Sequence, residues 1–167
     1  MKRSFDFLTL IRIFSKKIIN KINISYDFNK KLINYTIDFN NLKYFWTFMI
    51  IINKSLLFNY YQLNDITCID NLNLIDNNND SFRNRFTLIY IFTNIKKNSR
   101  LTVRITINNN QRVPSLANLF DAANWLEREV YDLFGIIFSN HPDLRRILTD
   151  YGFTNHPLLK DFPLTVI

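Results

Sequence analysis

The sequence predicts an α+β fold: a small, mostly antiparallel sheet with helices packed on one face, followed by a proline-punctuated extended C-terminal tail. Three observations lead there. Residues 85–92 and 100–107 alternate apolar and polar side chains, the period of a half-buried strand. Residues 42–52 form a dense apolar run long enough to be a buried helix. All four prolines (Pro114, Pro142, Pro157, Pro163), both glycines (Gly135, Gly152), both glutamates and both histidines fall between residues 114 and 163. The expected organisation is an N-terminal amphipathic helix over 1–20, an α+β domain over 21–138 and a partner-binding tail over 139–167.

Along the chain, Phe5, Leu8, Ile11, Phe14 and Ile18 recur at helical spacing against Lys2, Arg3, Arg12, Lys16 and Lys17. Such a basic helix suits a targeting peptide; in an organelle-encoded protein no import signal is needed, and docking is the better reading. Residues 22–28 and 32–39 alternate as two strands joined through Asn29-Lys30-Lys31, a hairpin. Asn41 precedes the helix over 42–52, a strand follows near 62–70, and the Asn/Asp-rich stretch 71–80 reads as a loop. In the clearest strand pair, Phe86, Leu88, Tyr90 and Phe92 share one face, as do Leu101, Val103, Ile105 and Ile107, with Lys96-Lys97-Asn98 as the link. Pro114-Ser115 then opens a helical region with Ser115 as its N-cap.

With 47% hydrophobic and 21% charged residues, the chain has the composition of a folded protein. Asn, Ile, Phe, Tyr and Lys are abundant while Gly and Pro are scarce, the imprint of an A+T-rich gene in an organelle or an A+T-rich bacterium. The net charge of +7 is unevenly spread: ten basic against three acidic residues over 1–63, seven against four over 64–113, four against seven over 114–167. A basic half can meet nucleic acid, anionic lipid or an acidic protein, and it can equally be a solvated face. Cys68 is the only cysteine, so a Cys-ligated iron–sulfur cluster or structural zinc site cannot be built from this chain alone. Walker, dinucleotide-binding and Gly-x-Ser-x-Gly patterns are absent. The longest apolar run, 44–52, falls short of the roughly 20 residues a membrane span needs, so no transmembrane segment is expected.

The most informative segment is Glu127-Arg128-Glu129-Val130-Tyr131-Asp132-Leu133-Phe134-Gly135, with Asn140-His141-Pro142-Asp143-Leu144-Arg145-Arg146 close behind. Counted at about 100° per residue from Trp125, positions 126, 129, 130, 133 and 134 share one arc, which places Glu129 among apolar side chains and Glu127, Arg128, Tyr131 and Asp132 opposite. A carboxylate so placed needs a partner, and Arg145 or Arg146 is the nearest donor in sequence. Gly135 suits a left-handed helix end. His141-Pro142-Asp143 reads as another helix start, and His156-Pro157 repeats the device ahead of Lys160-Asp161-Phe162-Pro163. A catalytic reading would pair Glu127, Glu129 and Asp132 with His141; the two glutamates, however, diverge around the helix instead of converging on a cleft.

Residues 123–136 and 141–149, continuing through His156-Pro157-Leu158 and Lys160-Asp161-Phe162-Pro163-Leu164, resemble the signature of the thirty-kilodalton family of respiratory complex I, the proton-pumping NADH:ubiquinone oxidoreductase; in mitochondrial genomes its members are usually called subunit nine. Weaker echoes are residues 62–70 and Arg85-Phe86. The resemblance implies a core structural subunit of the peripheral arm that carries no cofactor, with FMN and iron–sulfur clusters in partner subunits. It implies bracing of the quinone-reactive module, with the tail lying over the forty-nine-kilodalton subunit, and no nucleic acid partner. It places the chain on the matrix side of the mitochondrial inner membrane, and the A+T-rich composition points to an organellar gene. On this reading Trp125, Glu127, Arg128, Glu129, Asp132 and Gly135 form the structural signature, and His141, Asp143, Arg145, Arg146, His156, Lys160 and Asp161 meet the partner. The chain departs from the family pattern at Asn155, where glycine is usual, and at Leu159, where arginine is usual; its end at Ile167 comes earlier than in many relatives. Three rivals differ in what they require: an organellar RNA-binding or ribosomal protein needs its basic half on RNA, a hydrolase needs a pocket gathering Glu127, Glu129 and His141, and a related membrane-bound hydrogenase would share the same signature.

Overall fold

The computed structural model describes residues 21–27 (backbone only), 32–39, 41–54, 62–72 and 85–163. The amphipathic helix expected over 1–20 and most of the Asn/Asp loop lie outside them. Seven strands and two helices are described: β1 (Lys21–Asp27), β2 (Leu32–Phe39), α1 (Leu42–Lys54), β3 (Gln62–Asp70), β4 (Phe86–Asn94), β5 (Ser99–Ile107), β6 (Val113–Pro114), α2 (Asp121–Phe134) and β7 (Phe138–Ser139). Five strands form a mixed, mostly antiparallel sheet in the order β1-β2-β5-β4-β3, and β6 and β7 form a short parallel pair. The fold is α+β, as the alternation pattern predicts.

The chain divides into two compact units, Met1–Asp65 with Ile89–Ile105, and Ile66–Leu88 with Thr106–Ile167. In the first, β1 and β2 pair antiparallel from Lys21↔Asp38 to Asp27↔Leu32, the expected hairpin, while β2 pairs parallel with β5 from Ile33↔Ser99 to Phe39↔Ile105. Asn41 caps α1: its side-chain oxygen accepts from Lys43 N–H at 2.9 Å, satisfying one of the free donors of the first turn. Phe45, Phe48, Met49 and Ile52 recur at helical spacing and are buried. Phe39 meets Phe45 edge-on at 6.2 Å and Phe48 at 5.2 Å, and Phe45 meets Tyr90 at 5.0 Å. These rings tie α1 to β2 and β4, with each buried aromatic contributing roughly 2–3 kcal/mol of hydrophobic stabilisation.

In the second unit the core is apolar around Ile66, Phe86, Leu88, Ile107, Leu116, Val130 and Phe138. Burial pushes the Cys68 thiol well above its ordinary pKa, which makes it an inert core residue. Val113 N–H donates to Ile137 O at 3.0 Å and Ser115 N–H to Ser139 O at 2.9 Å, so β6 and β7 hold the segments 113–116 and 137–141 side by side next to α2. Two expectations fail here. Ser115 does not cap a helix: α2 begins at Asp121 after Phe120, which makes no side-chain cap bond. No helix follows His141-Pro142 either, because the His141 ring takes the Asp143 N–H at 3.0 Å and turns the chain instead. No described helix is long and apolar enough to cross a membrane.

Candidate functional site

The signature helix α2 buries a different face from the one counted from Trp125. Ala123, Glu127 and Val130 are buried while Trp125 is 58% exposed, its ring stacked by the Arg128 guanidinium at 5.8 Å. At about 100° per residue, Ala123, Glu127, Val130 and Phe134 fall within roughly 60° of one another, and Trp125 lies on the opposite side. Glu127, not Glu129, is therefore the inward carboxylate. Its oxygens accept from Ser115 Oγ at 2.6 Å and from Leu116 N–H at 2.6 Å, and the buried His141 Nε2 stands 3.9 Å away. Glu129 is half-buried, and neither Arg145 nor Arg146 reaches it: Arg145 pairs with Asp143 and Arg146 with Asp132.

Asp132, at the far end of the helix, holds the tail. Its Oδ2 accepts the N–H groups of Ile147 (3.0 Å), Leu148 (2.7 Å) and Thr149 (3.0 Å), and its Oδ1 accepts the Thr149 hydroxyl at 2.6 Å. Burial alone would raise this carboxyl, but the Thr149 hydroxyl and the three amides outweigh it and hold it down to about 2. The C-terminal carbonyls of α2, which a helix cannot satisfy itself, are taken up locally and by the tail. Gly135, in the left-handed conformation expected (φ 75°), donates to Tyr131 O at 2.9 Å, His156 Nδ1 meets Asp132 O at 2.8 Å, and Leu158 N–H donates to Leu133 O at 3.1 Å. Arg146 adds bonds to Asn155 O (2.8 Å) and Thr154 O (3.2 Å).

Gly135 has a second reason to be glycine. A Cβ there would lie 2.6 Å from the His156 ring, whereas one at Gly152, also at positive φ, would meet nothing within 4 Å. Gly152→Ala should cost the roughly 1–2 kcal/mol of left-handed strain. Gly135→Ala should cost about 1–3 kcal/mol beyond that from overpacking. Thermal unfolding of both variants measures the difference; equal losses would show that the His156 contact yields freely.

A further cluster joins residues far apart in sequence. Arg85 donates from Nε and Nη2 to Asp70 at 3.1 and 2.9 Å and from Nη2 to Asp161 at 2.7 Å, while Asp70 also accepts Lys160 N–H at 3.0 Å and Leu72 N–H at 3.1 Å. Burial pushes the Asp70 carboxyl up, yet Arg85 and these amides bring it below its ordinary value, and the Asp70 bond in turn raises Arg85. The sequence pattern singles out neither strongly: both stand only in the weak echoes of the family, Asp70 at the end of residues 62–70 and Arg85 in Arg85-Phe86. A signal is nonetheless present, because Asp70 stands in phase with Ile66 and Cys68 on the buried side of β3, a position where a charge demands a partner.

Most of the tail residues expected to meet a partner are engaged at home. His141, Arg146, His156 and Asp161 bond within the chain, Lys160 does so through its backbone, and Asp143 and Arg145 form an exposed pair. A cavity of about 450 Å³ in this unit is lined by Arg85, Phe86, Arg112, Phe134 and His156 among others, and Glu127, Glu129 and His141 are not in its wall. The catalytic gathering that a hydrolase would need is not formed there. No group of three His, Cys, Asp or Glu side chains suited to a metal ion occurs among the described residues.

The likeness to known proteins extends over most of the chain. A family model described as "Respiratory-chain NADH dehydrogenase, 30 Kd subunit" matches residues 42–166. The chain belongs to this family. It is 45% identical over 117 residues to the mitochondrial NADH dehydrogenase [ubiquinone] iron-sulfur protein 3 of Candida albicans, covering 70% of this chain and 39% of that protein. It is 55% identical over 83 residues to NADH-ubiquinone oxidoreductase subunit 9 of Reclinomonas americana, covering 50% of this chain and 41% of that one. The chain thus spans about two fifths of the length of these relatives. Among solved structures, the trypsin-resistant fragment of Nqo5 superposes with a TM-score of 0.62 at 28% identity, over 85% of this chain and 99% of the fragment. A chain of the archaeal membrane-bound sulfane sulfur reductase shares the fold, with a TM-score of 0.70 at 18% identity over 98% of this chain and 87% of that one.

Proposed function

We propose that this chain is a cofactor-free structural subunit of the peripheral arm of the proton-pumping NADH:ubiquinone oxidoreductase, on the matrix side of the mitochondrial inner membrane. It braces the quinone-reactive module against the forty-nine-kilodalton subunit, and redox chemistry resides in partner subunits. The observation that carries this reading is that the family match covers the same residues whose charged side chains are spent on bonds within the chain. Glu127, Asp132, Asp70 and Arg85 stiffen a scaffold instead of converging on a substrate. Beside its exposed charges that scaffold displays apolar side chains: Trp125, Leu148, Tyr151 and Leu158 are exposed on α2 and the tail, suited to burial against another subunit.

Native electrophoresis of detergent-solubilised membranes tests the assignment, with the chain identified by mass spectrometry and NADH dehydrogenase activity stained in the same lane. Co-migration with a large NADH-oxidising band is expected. Migration with ribosomes, or alone, would overturn it.

A further inference from the structure

We propose that Glu127 is a buried proton-binding site, at which the side chain takes up one proton to become a neutral carboxylic acid hydrogen-bonded to Ser115 Oγ. The geometry leaves the ionised form without a compensating cation. Its two oxygens receive neutral donors only, the Ser115 hydroxyl and the Leu116 amide, both at 2.6 Å. The nearest titratable side chain is His141, with Nε2 3.9 Å from Glu127 Oε2 and both side chains wholly buried. Its hydrogen-bond partners fix the tautomer of that ring. Nδ1 accepts from Asp143 N–H at 3.0 Å, so the hydrogen sits on Nε2, which donates to Asn124 O at 3.1 Å. The ring's two hydrogen bonds thus run to Asp143 N–H and Asn124 O, and neither is made to the Glu127 carboxyl.

Among the described residues, nothing else around the carboxyl supplies charge. The segment 113–120 and the strand residues Phe138–Ser139 contain no titratable side chain. Asp143 and Arg145, beyond the ring, neutralise each other at 2.6 Å. On α2 itself Arg128 turns outward, over Trp125 and toward the Arg145 carbonyl, and Glu129 is a further negative charge. The 2.6 Å contact accommodates a proton on either side. The Ser115 hydroxyl donates to a carboxylate, and the neutral acid donates to Ser115 Oγ, whose two lone pairs serve it together with the Ala117 N–H at 3.1 Å. The uptake balances simply: solvent supplies the proton, one O–H bond forms, and the site changes charge by one.

Burial pushes this carboxyl up to about 7 against the opposing pull of Ser115 and Leu116. The unfolded chain binds the same proton only below about 4.3. Between those values the native state holds one proton more than the unfolded state, so this group's contribution to stability is full below the lower value and is lost as pH rises through about 7. The net stability that this group lends the folded chain therefore falls as the medium turns alkaline.

Only two glutamates occur in the chain, Glu127 and Glu129, which permits a direct test on the 167-residue chain. Labelling glutamate with ¹³C at the side-chain carboxyl gives two signals, followed by NMR across the neutral range. One is expected to keep the shift of a protonated carboxyl in mildly acidic buffer, to move with a midpoint near 7, and to persist in Glu129→Gln. Two signals already at the carboxylate position in mildly acidic buffer, or no protonated signal in Glu129→Gln, would overturn the proposal. Because the readout is local to the folded chain, failure to assemble into a respiratory complex would leave this result unaffected.

Discussion

Asp132→Ala should free residues 147–149 from the signature helix and destabilise the chain by about 3–5 kcal/mol, the cost of orphaning several partly buried donors and losing a charge-assisted acceptor. Three amides and one hydroxyl converge on that carboxylate, and Arg146 stands 3.6 Å from it. The loss should be visible in hydrogen exchange, with the Ile147, Leu148 and Thr149 amides losing protection ahead of the sheet. Retained protection at those three amides would show that the tail is held from elsewhere. Asp132→Asn keeps one acceptor oxygen and the shape, so a milder loss is expected. The pH dependence follows from the depressed pKa of about 2. An unfolded aspartate titrates near 3.9, so the group's contribution, roughly 2–3 kcal/mol, is complete above that value and disappears as pH falls toward about 2. Acid should therefore release the tail, the opposite sense to Glu127.

Arg85→Met is expected to be comparably damaging for a different reason. It leaves Asp70, whose side chain is 1% exposed, with two amide donors and no cation. Removing one member of a buried pair costs about 3–5 kcal/mol, because the remaining charge stays desolvated. Replacing both members by apolar residues, as in Arg85→Met with Asp70→Leu, should recover much of the loss, since a packed apolar pair avoids that penalty. Asp161→Asn should matter far less: its carboxylate is 54% exposed, and such pairs contribute about 0–1 kcal/mol. Denaturant unfolding of the parent chain, Arg85→Met, Asp70→Leu and the double variant forms a double-mutant cycle. A double variant no more stable than Arg85→Met alone would mean that the arginine acts through packing instead of charge.

The local elements were legible without coordinates. Alternation at period two marks β2, β4 and β5 to within about two residues, a dense apolar run marks α1, and Gly135 marks the helix end, because each signal is carried by neighbours in sequence. The family signature was legible for a similar reason: it is contiguous. What escaped was the orientation of α2. Trp125 is the most apolar-looking anchor of that helix, yet it is exposed, and Glu127 carries the burial instead. No helical count can reveal that Ser115 and Leu116 will be delivered to that carboxylate by a β6–β7 pairing formed across roughly two dozen residues.

The same holds for the charged tail. Composition and spacing single out Asp132, Arg145, Arg146, His141 and His156, since charge and proline are concentrated there. They assign the arginines to Glu129, whereas the folded chain gives Arg145 to Asp143 and Arg146 to Asp132 and to tail carbonyls. The sequence by itself determined the fold class, most element positions and the family, because these rest on periodicity and on a contiguous motif. Only the tertiary structure decided which carboxylate is buried, which cation answers it and how the tail is fastened, because desolvation and hydrogen-bond satisfaction are properties of the neighbours a residue acquires in space.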